Sequence, residues 1–175
     1  QGETMAGELL VLRLLHVIGA ILWVGGMSFS TFFVMPAVAQ AGPAAGPVMA
    51  GFQRRKVFVW MPVIAIVTIL SGFRLLMIVS SNFGSTYLST PTGRTFTISA
   101  VIGLLAFLIG MIVTRPAMTR MGLLSAEAAN ATEARRAEIQ AELATIRARN
   151  ARITLLVTIL LLIAAAGMAV ARYMR

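Results

Sequence analysis

The stretch Leu14–Val34, LLHVIGAILWVGGMSFSTFFV, contains no Asp, Glu, Lys or Arg. A run of roughly 20 apolar residues is long enough to cross a bilayer as a helix. Inside it sits His16, the single histidine of the chain, three residues after Arg13 and seven before Trp23. Working outward, further charge-free runs cover Val57–Phe73, Leu75–Gly93, Thr95–Thr114 and Ile153–Ala171. Hydrophobic residues make up 58% of the 175 residues, and the mean hydropathy is +0.87. These values lie far above those of soluble domains. They predict an all-α integral membrane four-helix bundle forming one domain.

Composition excludes several chemistries. With no cysteine, disulfides, thiolate metal sites and cysteine nucleophiles are ruled out. No aspartate is present, and the six acids are glutamates outside the apolar runs, so no carboxylate relay crosses the membrane interior. The net charge of +9 is mostly arginine. Basic segments beside membrane helices set topology and face anionic lipid, so the lipid bilayer rather than nucleic acid is the expected partner. There is no P-loop, no serine–histidine–acid set and no acid pair. A membrane oxidoreductase remains the only enzyme class in view.

Spans are expected at about 8–34, 57–79, 95–114 and 153–173. Residues 1–4 read as a tag remnant with the natural start at Met5, and the first apolar run is too long for a cleavable signal peptide. Pro36 is expected to end the first span, and the Gly- and Pro-rich PAVAQAGPAAGPVMAGF (Pro36–Phe52) to form a loop. Arg115-Pro116 is expected to stop the third. Between the last two spans, residues 125–152 are alanine-rich and charged without Gly or Pro, which predicts a helix running on into span four. Its stripe of Ile139, Leu143, Ile146, Asn150 and Ile153 is expected to pack on a neighbouring protrusion or the lipid surface, and Glu133 can pair with Arg136.

Loops one and three hold Arg54, Arg55, Lys56, Arg115, Arg120, Arg135, Arg136, Arg147, Arg149 and Arg152, ten of the fifteen cations. The other side holds Arg13, Arg74, Arg94, Arg172 and Arg175. The positive-inside rule then makes those loops cytoplasmic and both termini external, in a bacterial-type inner membrane.

On that alignment one layer near the outer side holds His16, Arg13, Arg74, Met168 and the small residues Gly19, Gly72, Gly103 and Gly167, with Trp23 two turns below His16. An ionisable residue in a membrane helix marks a functional site by default. Three readings stay open. In the first, His16 is an axial ligand of b-type haem, the glycines give the macrocycle clearance, and Arg13 and Arg74 hold its propionates. The second ligand is then Met168, a group from a second subunit of a homodimer, or none. In the second reading, His16 and the thioethers among the eleven methionines handle copper. In the third, a neutral histidine bonds a serine or backbone carbonyl, the glycines only let helices approach, and the protein acts without a cofactor through its cytoplasmic helix.

Leu15–Val38 (LHVIGAILWVGGMSFSTFFVMPAV), followed by Arg54–Leu76 (RRKVFVWMPVIAIVTILSGFRLL), resembles the CopD-like copper-resistance membrane proteins and the related four-helix HemJ protoporphyrinogen oxidase family. The likeness rests on a leucine–histidine pair, a tryptophan seven residues on, small residues after it, then a basic pair and a second helix ending in glycine. It covers about the first half of the chain. It implies that His16 is a haem ligand in the oxidase branch and a metal-handling residue in the copper branch. The second half departs from the oxidase pattern, with no second intramembrane histidine and Arg94 in place of a lysine at the start of span three.

Overall fold

The computed structural model describes residues 2–174, without the side chains of residues 2–4 and 43. Gln1 of the expected tag remnant and Arg175 of the charge count therefore lie outside the described residues. The described chain is all-α. Four of its helical stretches, Met5–Gln40, Val57–Val79, Pro91–Ala129 and Glu133–Tyr173, are long and apolar enough to cross a membrane.

Helix α1 (Gly2–Phe29) passes through a π-helical turn, Ser30–Val34, into α2 (Met35–Gln40). Pro36 does not end the helix. A proline has no N–H to donate, and its ring pushes away the carbonyl four residues back, here that of Phe32. The turn before it widens instead, and Met35 N–H reaches back five residues to Ser30 O. The third span repeats the device. Helix α6 (Pro91–Ile109) is followed by a π turn, Gly110–Thr114, in which Arg115 N–H bonds Gly110 O, and α7 (Arg115–Ala129) carries the chain onward past Pro116. Neither proline stops its helix, so spans one and three both protrude at the basic end.

The expected loop after Pro36 is also largely helical, with α2 and a 3-10 turn (Gly42–Ala44) leading to α3 (Ala45–Arg54). Lys56 takes a left-handed conformation, φ 54°, at the corner into α4 (Val57–Val79). The polar connection that follows includes a short helix, α5 (Ser85–Leu88). Thr90 caps α6 by accepting from Gly93 N–H at 3.0 Å.

The last helix, α8 (Glu133–Val170), is continuous over 38 residues, about 57 Å at 1.5 Å per residue. Its N-terminal part and α7 form a hairpin, where Ile139 and Leu143 pack on Leu124 apart from the cluster around Trp23. Two of the glutamates there go to Arg135, which bonds Glu127 and Glu138 at 2.9 Å each. Hydrogen bonding to Glu138, then to Glu127, holds the Arg135 guanidinium above its usual range. Arg136 does not take up the expected pair with Glu133. It donates to the carbonyls of Ala128 and Ala131 instead, at 3.3 Å each.

The four long stretches form two closely packed antiparallel pairs, α1 with α4 and α6 with α8, and the pairs meet more sparsely, α1 on α8 and α4 on α6. Their meeting point is filled by Trp23, Ala65, Ala106, Val157 and Leu161. Trp23 is 8% exposed and stands edge-on to Phe107, with ring centroids 6.2 Å apart. Nearer the basic end, Thr31 in the first π turn ties the pairs together. It lies 2.8 Å from Thr158 Oγ1, whose own proton goes to Thr154 O, so Thr31 is the donor.

Candidate functional site

His16 lies half-buried on the seam between α1 and α4. Its Nδ1 is 2.8 Å from the backbone oxygen of Thr68. A carbonyl only accepts, so Nδ1 carries the proton, and in the neutral ring Nε2 keeps the lone pair. Thr68 O also accepts from Ser71 Oγ at 3.1 Å, and Thr68 Oγ1 donates to Ile64 O at 2.8 Å. The hydroxyls of α4 are thus satisfied along their own helix, and the imidazole crosses the seam within its apolar part, while the exposed Arg74–Glu8 pair joins the same two helices nearer their end.

Small residues make this approach possible. A Cβ on Gly72 would lie 2.5 Å from His16 Cε1 and 2.7 Å from Nδ1, so the ring occupies the space of the missing side chain. The space at Gly19, one turn along α1, is held by the Thr68 side chain, and that at Gly26 by the Met61 methyl. Two turns below His16, Trp23 closes the bundle centre.

The remaining expected site residues fall elsewhere. Gly167 approaches Ser99, and Gly103 faces Ala164, so both belong to the α6–α8 seam. Met168 follows Gly167 on α8 and is partly buried. Arg74 pairs with Glu8 at 2.7 Å, with both side chains nearly half-exposed. Arg13 is exposed, and no described residue pairs with it. The structure therefore joins His16, Gly19 and Gly72 in one seam and separates them from Gly103 and Gly167. It also adds Thr68 and Glu8, which sequence reasoning missed. Thr68 is one hydroxyl among several in an apolar span, and its role is played by its backbone oxygen. Glu8 carried the better signal, as an acid two turns before His16 on the same helix.

The two seams correspond in register. Gly19 meets Thr68 in the first, and Ser99 meets Gly167 in the second. Trp23 packs with Ala65 in the one, and Gly103 with Ala164 in the other. Carrying those spacings along each helix puts Phe96 at the place of His16 and Ala171 at the place of Gly72. The second seam closes without an imidazole.

Haem, the group implied by the resemblance, meets a partial fit here. The imidazole suits an axial ligand, because a backbone carbonyl fixes the ring through Nδ1 and leaves Nε2 as donor. A slot between the helices is not present, since Thr68, His16 and Ser99 fill the clearance expected at Gly19, Gly72 and Gly167. Among the described residues, no three His, Cys, Asp or Glu side chains gather as a metal cluster. No family model, characterised protein or solved structure matches the chain.

Proposed function

We propose that this multi-pass membrane protein binds b-type haem through His16 Nε2 and serves electron transfer or haem and porphyrin handling. The observation that carries the reading is the His16–Thr68 bond, 2.8 Å long, in a seam whose counterpart carries, by spacing alone, Phe96 and Ala171 at the corresponding positions. Packing alone does not call for an imidazole at this place. Bound haem iron would supply one-electron chemistry. The chain's own part is to hold the ring in one tautomer and, with Trp23 filling the bundle centre, to keep water from its inner side. Haem bound there would be held by His16, and the cations available to its propionates would be Arg13, without a described partner, and Arg74, shared with Glu8. The proposed setting is a bacterial-type inner membrane with the basic hairpin in the cytoplasm.

The filled glycine spaces favour a second reading, in which His16 is a hydrogen-bonded packing residue and the protein acts through its hairpin without a cofactor. Absorption spectroscopy with iron and copper analysis of the purified membrane protein separates these readings. The haem reading expects a Soret band that sharpens on reduction, with iron near one per chain. A colourless protein with stoichiometric copper would transfer the assignment to copper handling, and a colourless, metal-free protein would leave the packing reading.

A further inference from the structure

A groove of about 280 Å³ lies at the basic end between the third span and α8, lined by Ile112, Val113, Pro116 and Ile146 with Arg120 and Arg149. Its position follows from the second π turn, which ends the apolar run at Thr114 just before Pro116. One end of the groove is apolar and open, with Ile112 70% exposed. The other end is cationic. Arg120 spends Nε and Nη2 on Glu142, at 3.0 and 2.9 Å. Arg149 is exposed and has no partner among the described residues.

Depth places the groove at the membrane boundary. Arg149 precedes the apolar run of α8, which begins at Ile153, by about 6 Å along the helix. The polar headgroup layer is about 5–8 Å thick on each side of the hydrocarbon. On that scale Arg149 falls in the headgroup layer, where the phosphates lie, and Ile112, two residues inside the end of the third apolar run, falls at acyl level. A soluble anion would use only the arginines and leave the apolar end unaccounted for. An occupant with a phosphate at one end and hydrocarbon at the other matches both.

We infer that this groove binds one anionic phospholipid of the adjoining leaflet, with its phosphate between Arg149 and Arg120 and an acyl chain along Ile112 and Val113. The test uses the delipidated full-length protein in detergent and native mass spectrometry. It is titrated with phosphatidylglycerol, with phosphatidylcholine of the same chains, and with inorganic phosphate. A single phosphatidylglycerol adduct is expected, weaker by about fivefold in Arg149→Gln, the factor for losing one cation at an anionic lipid surface. Arg149→Lys should restore much of the binding, and Arg147→Gln, outside the groove lining, should match the parent. Equal adducts with both lipids, or equal weakening by Arg147→Gln and Arg149→Gln, would mean diffuse attraction to the basic end and overturn the site. Displacement of the lipid by inorganic phosphate would show a soluble-anion site and overturn it equally. Melting temperatures of the variants, expected within a degree or two of the parent, show that any loss is not unfolding.

Discussion

His16 is held by one hydrogen bond and one missing side chain. The bond to Thr68 O fixes the ring, and Gly72 gives it room. Gly72→Ala removes that room, because the new methyl would sit inside the van der Waals surface of the ring. The ring must swing away, lose its carbonyl and strain the seam, at a cost of about 1–3 kcal/mol. Gly25, on α1 with His16, has nothing within 4 Å of an added Cβ. Gly25→Ala should therefore stabilise the helix, by about 0.5–1 kcal/mol. Thermal unfolding in detergent should move in opposite directions for the two variants. A melting temperature for Gly72→Ala equal to that of the parent would show that the imidazole is not seated as described.

At the scale of elements, the membrane bundle and the hairpin have separate apolar clusters, one around Trp23 and Leu161, the other around Leu124, Ile139 and Leu143. Leu124 is fully buried, so Leu124→Ala should cost about 2–5 kcal/mol, as for other buried leucines. That cost should fall on the hairpin. Trypsin should cut at Arg135 or Arg136 faster than in the parent while the bundle stays intact. Loss of the whole protein at the same rate would mean that the two clusters unfold as one. The elements also show what the sequence could and could not reveal. The four spans and the long α8 were legible because apolar length alone decides them. The stripe Ile139, Leu143 and Ile146 was legible because charges surround it on a helix outside lipid. The pairing of spans was not, because membrane helices are apolar on every side and carry almost no stripe. Small residues decide the contacts, and the sequence does not say which glycine meets which helix. Gly103 and Gly167 were placed beside His16 by depth, whereas rotation assigns them to the other seam. Pro36 and Pro116 misled for a related reason. In water an interior proline ends many helices, but these two stretches stay helical by widening one turn. The Pro–Ala pair at the same place in spans one and three was the available signal of that shared device.

For the molecule as a whole, charge asymmetry is the basis of the proposed orientation. Ten of the fifteen cations lie in the loop-one and loop-three segments, at the end that bears the hairpin. A reporter inserted near Asn130 should show a cytoplasmic signal, and one fused after the last residue an external one. The reverse pair would invert the assignment of the leaflet that meets the basic groove. The proposed function makes the single imidazole of this bundle a ligand and not a packing group. The most direct measurement is the haem content per chain of the purified parent and of His16→Ala, with helicity by circular dichroism as the folding check. Insertion depends on apolar length, so the variant should keep its helicity. A haem-loaded parent and a variant that has lost its Soret band or changed its spin state are expected. A haem-free parent, or a variant with unchanged haem content and spectrum, would contradict the proposed function.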